Sequence, residues 1–150
     1  MKEYKIIIDS REQKPLPFRK NKEVRGMNVG DYACEYEGQM LPLVFERKSG
    51  ADFYGSIVKG HERFKKEWGR AKEQNLDFKI VVECSYDDFL NKKFDGGWRV
   101  KIRKDILTKI LHSSIVRNDL QIYFFNGRSE MQRYIRNSFN AAVEHKSKLP

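Results

Sequence analysis

The 150 residues suit one ordinary domain, at roughly 100–200 residues each, and suffice to bury a core without disulfide or metal staples. An apolar fraction of 39% with 13% aromatics excludes a disordered chain, and no run approaches the roughly 20 apolar residues of a membrane span. With 30 Lys and Arg against 21 Asp and Glu, the net charge of +9 draws polyanions from a distance and holds phosphates on contact.

Taken in chain order, Lys5-Ile6-Ile7-Ile8-Asp9 is a β-branched apolar run that predicts a buried strand ending in a carboxylate. Ser10 to Arg25, with Pro15 and Pro17 among many charges, predicts an exposed loop. Asp31 to Tyr36 and Leu41 to Lys48 predict two strands joined as a hairpin at Glu37-Gly38-Gln39. Ser49 to Val58 reads as a helix. His61 to Asn75 reads as a second, charged one with a narrow buried stripe of Phe64, Trp68 and Ala71. Phe78 to Cys84 predicts another buried strand, Tyr86 to Phe94 a short helix, and Gly96-Gly97-Trp98 a break. Ile106, Leu107, Ile110, Leu111 and Ile115 place an amphipathic helix over Lys104 to Asn118. Leu120 to Phe125 is the last strand. A helix capped by Ser129 and Gln132 then runs to about His145, with Met131, Tyr134, Ile135, Phe139 and Val143 on one face. This order predicts an α/β layered domain around a central mixed sheet.

Cys34 and Cys84 are far apart, lack zinc spacing and lie in apolar strands, which predicts buried free thiols in a reducing, intracellular compartment. The N-terminal residues carry no signal-peptide run. His61, His112 and His145 show no ligand spacing.

The chemistry-bearing residues gather at strand ends. Asp9 closes the first strand, Glu12 follows, Asp31 opens the hairpin, and Glu46 and Lys48 end its return. Side chains alternate along a strand, so Glu46 and Lys48 share a face and Arg47 takes the other. Two carboxylates make a hard oxygen site for Mg²⁺ or Mn²⁺, and a lysine beside them can orient or deprotonate a water. By spacing alone, Glu46-Arg47-Lys48 is equally a solvated strand end.

Ile7-Ile8-Asp9-Ser10-Arg11-Glu12, Val29-Gly30-Asp31-Tyr32 and Phe45-Glu46-Arg47-Lys48-Ser49-Gly50-Ala51-Asp52 resemble the XPF/Mus-type structure-specific nucleases, a family that includes archaeal Hef. Its pattern is Gly-Asp, a variable gap, Glu-Arg-Lys, and an Asp four residues after the Lys. The motifs cover residues 4 to about 70, and element order covers the rest. The resemblance implies a restriction-endonuclease-like three-layer α/β/α fold and Mg²⁺- or Mn²⁺-dependent cleavage of branched DNA such as flaps and forks. It implies that Asp31 and Glu46 ligand the metal, with the Arg47 carbonyl as a third donor and Glu12 reaching a second ion. Lys48 then assists the water, Asp9 completes the acidic cluster, and Asp52 and Arg47 surround it. It also implies a homodimer through the C-terminal region. The intracellular reading from the cysteines leaves a cytoplasmic or nucleoid-associated protein as the expectation, nuclear in a eukaryote. The chain is expected to be a single nuclease domain without the helix-hairpin-helix or helicase modules of many relatives.

Candidate DNA contacts are Arg11, Arg63 and Lys65, each also explained by pairing or solvation. Trp98 and Arg99 lie in a basic cluster, where the tryptophan either stacks on an unpaired base or folds back over the core. The first reading is an active nuclease on branched DNA. The alternatives are a non-catalytic DNA-binding or scaffold subunit, and a nuclease acting on RNA or plain duplex DNA.

Overall fold

Four of the five residues in β1 (Lys5–Asp9) are buried, so both faces of this strand must be covered. The computed structural model, which describes residues 2–148, supplies those covers as two helical layers. Ile6 and Ile8 join Tyr32, Phe45 and Val81 in a core sealed by Met131, Ile135, Phe139 and Val143 of α5 (Arg128–Ser147). On the opposite face, Ile80 and Val82 pack beneath α1 (Gly50–Val58), α2 (His61–Glu73), α3 (Tyr86–Leu90) and α4 (Lys104–Asn118). Ile7, Ala33 and Val44 form a smaller cluster.

The remaining strands are β2 (Lys22–Arg25), β3 (Tyr32–Tyr36), β4 (Gln39–Met40), β5 (Leu43–Ser49), β6 (Asp77–Glu83) and β7 (Ile122–Phe124). Their order across the sheet is β2-β1-β3-β5-β6-β7, with β4 paired to β3 alone. β3 runs antiparallel to β1 and β5, whereas β1/β2, β5/β6 and β6/β7 are parallel, so the sheet is mixed. This is the expected three-layer α/β/α arrangement. No helix among the described residues is long and apolar enough to cross a membrane.

Tertiary contacts override local pattern in three places. The segment expected as an exposed loop, Ser10 to Arg25, contains β2, paired in parallel to β1. It also buries Leu16 and Phe18: the Leu16 N–H donates to the Tyr32 hydroxyl at 2.8 Å, and Phe18 meets the Tyr32 ring edge-on. The hairpin's return is split at Pro42, which has no N–H for the ladder, so β4 and β5 pair separately with β3. The Ser129–Gln132 capping box does not form. The helix starts two residues earlier, after Gly127, with no side-chain cap, because Arg128 and Gln132 reach the Lys14, Pro15 and Pro17 carbonyls instead.

The apolar stripe of α5 packs on the sheet. Phe139 meets Phe45 at 5.4 Å between ring centroids, a contact whose truncation to Ala typically costs about 3–5 kcal/mol. Both cysteines are buried and free, and burial pushes the Cys34 thiol up to about 12.

Candidate active site

Strand alternation in β5 divides the motif between two layers. Val44 faces the Ile7 cluster, and the Lys48 ammonium lies 6.0 Å from the Phe64 ring centroid of α2. Phe45 faces α5, and Arg47 follows it to that side. Asp31 reaches β5 through a constrained turn. Gly30 has φ +76°, and a Cβ there would run into Val44 Cγ1, so no other residue fits without a shift. The Asp31 N–H then donates to the Phe45 carbonyl at 2.8 Å, and the Arg47 N–H donates to Asp31 Oδ2 at 2.8 Å. Two chain segments are thereby locked with Asp31 beside Glu46.

Glu46 is 5% exposed, and its Oε2 has no hydrogen-bond partner. The Lys48 ammonium lies 3.5 Å away, a charge contact longer than a good hydrogen bond. Burial pushes the Glu46 carboxyl well above the usual range. The facing Glu67 carboxyl of α2 pushes it further, Lys48 opposes, and Asp31 adds a smaller rise. Burial likewise raises Asp31, to about 6; the Arg47 N–H and the Lys48 charge partly offset this, while Glu12 adds to it. A buried unmet carboxylate oxygen costs more than the roughly 1–3 kcal/mol of a neutral group, and strongly perturbed acids of this kind concentrate at functional sites.

The opposite face of β5 holds an ion-pair network. Arg47 donates from Nε to Glu12 Oε2 at 2.8 Å and from its second amino nitrogen to Glu12 Oε1 at 2.6 Å. It also donates to Glu83 at 3.0 Å, and Arg128 binds the same Glu83 oxygen. Glu12 further accepts from the Tyr32 hydroxyl and the Lys14 N–H. Burial works to raise the Glu12 carboxyl, but these donors outweigh it and hold it below its ordinary value. Both Glu12 oxygens are thus committed to protein donors, which sets it apart from Glu46. Asp9 is similarly engaged: it accepts from the Met27 N–H at 2.9 Å and from Arg11 Nε at 3.0 Å. Arg11 also donates to the Met27 carbonyl, so it clamps the turn that carries Gly30.

Lys48, Asp52, Arg63, Phe64 and Glu67 line a polar groove of about 450 Å³. Asp52 sits in the first turn of α1, where Ser49 caps the helix by accepting its N–H at 3.1 Å. Arg63 lines the groove; Lys65, half-buried on the same helix, does not. Trp98 and Arg99 lie in a 3₁₀ turn (Gly97–Arg99), where Trp98 is 79% exposed rather than folded over the core.

Among the described residues, no three His, Cys, Asp or Glu side chains converge as an ion cage. The donor set that fits a cation is two carboxylates completed by water, which suits Mg²⁺, an ion that keeps several waters. The orphaned Glu46 Oε2 is the unpartnered buried acceptor such an ion would meet. Glu67, Glu83 and Arg128 escaped the sequence reading. Glu83 closes a buried strand as Asp9 does, which was a usable signal. Glu67 is one acid among many charges on α2, and only the fold distinguishes it.

The ERCC4 domain family model matches residues 8–138. Among solved structures, XPF from Aeropyrum pernix in complex with DNA superposes with a TM-score of 0.63 at 18% identity, over 97% of this chain and 66% of that one. XPF from Aeropyrum pernix, titled without DNA, gives a TM-score of 0.61 at 15% identity, over 96% of this chain and 65% of that one. The chain therefore spans just under two thirds of those proteins' length. No curated protein matches in sequence. With most of its length covered by the family model and the fold shared, the chain belongs to the ERCC4 domain family.

Proposed function

We propose that this protein is a DNA endonuclease that hydrolyses phosphodiester bonds at the Asp31–Glu46–Lys48 site with Mg²⁺ or Mn²⁺. The observation that carries the reading is Glu46: a buried carboxylate with an unpartnered oxygen, beside a second acid and a lysine. A scaffold or simple DNA-binding subunit would gain nothing from that cost, whereas a cation site requires it.

Asp31 and Glu46 would hold the ion, with the Arg47 carbonyl as the third protein donor implied by the motif. When bound, the ion supplies a Lewis acid that polarises a phosphate oxygen and acidifies water. Lys48 orients the attacking water and balances charge that develops on the phosphate. Glu12, Asp9 and Arg47 hold the two carboxylates in register from behind. Asp52 and Arg63 flank the approach, with Arg63 contacting a phosphate there and Lys65, outside the groove on the same helix, contacting one further along the backbone.

We infer branched DNA, flaps or forks, as the substrate, on the motif's family resemblance and the net charge of +9. A homodimer through the C-terminal region would have to use surface beyond the buried stripe of α5; Ile106 and Val116 of α4, 40% and 82% exposed, are the apolar side chains nearby in sequence that remain open. A cleavage panel tests the function: labelled flap, fork and blunt duplex, with Mg²⁺, Mn²⁺ or chelator, for wild type and Asp31→Ala. Metal-dependent cutting of flap or fork, lost in Asp31→Ala, is expected. Folded wild type that cuts none of them with either metal would sink the reading.

A further inference from the structure

Trp98 is one of the largest side chains in the protein, yet it stands 79% exposed, where an indole gains nothing from burial. Its position is built rather than loose. Gly96, at φ +76°, opens the turn, and a Cβ on Gly97 would collide with the Lys92 carbonyl. The Gly97 N–H donates to the Phe94 carbonyl at 2.8 Å, and the Val100 N–H donates to the Gly97 carbonyl at 3.0 Å. The Lys92 ammonium crosses the loop to the Ile102 carbonyl at 2.7 Å. The Arg99 guanidinium lies over the Trp98 ring, 4.7 Å from its centroid, which covers one face of the indole and leaves the other to solvent.

The turn is also placed near the candidate catalytic strand. Phe94 packs on Gly50, the first residue of α1 and two residues beyond Lys48, and its ring lies 5.7 Å from that of Tyr54. Lys93, Arg99 and Lys101 flank the indole in sequence against one acid, Asp95, so the exposed ring stands in a segment of net positive charge.

We propose that Trp98 is a stacking platform for an unpaired base of the DNA held at this site, with Arg99 meeting the adjoining phosphate. The proposal rests on the nuclease reading and sharpens it by naming the feature recognised: a base free of its partner, as at the arm of a flap or fork. Inside a duplex the base faces are stacked on one another, so away from its two ends the indole finds no free face. The chemistry is sequence-tolerant, because every base presents a π-face.

The test is binding in Ca²⁺ or chelator, so that cutting does not interfere. Wild type, Trp98→Ala and Trp98→Phe are titrated against a fork with an unpaired arm and against blunt duplex of equal length, at fixed salt. Trp98→Ala should weaken fork binding about 5- to 100-fold, leave duplex binding within about twofold, and be rescued largely by Trp98→Phe. Trp98 is exposed, so thermal unfolding of the variants should match wild type. Equal fork affinity in wild type and Trp98→Ala would overturn the platform, as would an equal loss on fork and duplex. So would a loss of self-association in sedimentation, which would make the indole a protein contact. Wild type that binds neither DNA would overturn the DNA reading itself, a result distinct from failure of the platform alone.

Discussion

Arg47 and Glu12 form a two-pronged pair, with nitrogen–oxygen distances of 2.8 Å and 2.6 Å, although 35 residues separate them in the chain. The pair ties the segment after β1 to the middle of β5, on the face away from Glu46. Arg47 is the middle residue of the Glu-Arg-Lys motif, and its side chain works behind the sheet while its N–H holds Asp31 in front.

Removing that guanidinium should therefore unfold the protein before it alters chemistry. Arg47→Ala leaves Glu12 without its cationic partner and Glu83 with Arg128 alone, both with little solvent, and breaking a buried pair in this way costs about 3–5 kcal/mol. Urea denaturation checks it. A loss under about 1 kcal/mol would show that the network contributes no more than a surface pair.

Glu46→Gln should separate metal binding from folding. The variant removes a buried acid whose oxygen lacks a partner, so metal-free stability should hold or rise. Thermal stabilisation by Mn²⁺ should disappear, and DNA cutting should fall at least about 100-fold. A Mn²⁺-dependent melting shift equal to wild type would remove Glu46 from the ligand set.

Asp31 predicts a pH dependence of the metal-free fold. Burial raises its carboxyl from 3.8 to about 6, so between those values the native state keeps a proton that the unfolded chain has released. Stability from this group is therefore greatest below about pH 4 and declines as pH rises towards 6. Asp31→Asn should give a shallower decline than wild type in denaturation curves taken across that window. Identical slopes would place the effect elsewhere.

Glu67→Gln should move two measurements in opposite directions. Easing the like-charge contact with Glu46 should stabilise the metal-free protein. Loss of a carboxyl beside the site should weaken Mn²⁺ binding about 10-fold, the lower end for outer-shell partners. Calorimetric titration with Mn²⁺, paired with melting curves, reads both; no change in either would make Glu67 a bystander.

Gly30→Ala tests the turn that delivers Asp31. A left-handed φ costs an L-residue roughly 1–2 kcal/mol, and the added methyl meets Val44, so a total of about 2–4 kcal/mol is expected. Cutting should fall along with stability, because Asp31 follows directly. A fully stable, active Gly30→Ala protein would contradict the geometry of the turn.

The helices and core strands were legible because their signals are local. The stripe of Leu107 and Leu111 and the run Ile6-Ile7-Ile8 repeat at the periods of helix and buried strand. β2 was not, because Lys22-Glu23-Val24-Arg25 is a polar edge strand held by β1 and follows a proline-bearing segment. The Ser129 cap failed for a related reason: Arg128 has stronger partners more than 40 residues away. At the candidate site, alternation along β5 correctly separated Arg47 from Glu46 and Lys48. It could not show that Glu12 would turn to Arg47, or that α2 would bring Glu67 against Glu46, since neither contact leaves a trace in spacing. Trp98 was ambiguous in sequence because an indole beside glycines can turn either way; the Lys92 bridge and the Gly97 constraint decide it.

β5 carries its two duties on alternate residues, and that has a consequence for variation along it. A complete substitution scan from Phe45 to Lys48 should read as an alternating trace. Changes at Phe45 and Arg47 should appear as lost soluble protein, and changes at Glu46 and Lys48 as soluble protein that no longer cuts. A selection for abundance and a selection for cutting would then tolerate complementary sets of residues in the same four-letter stretch.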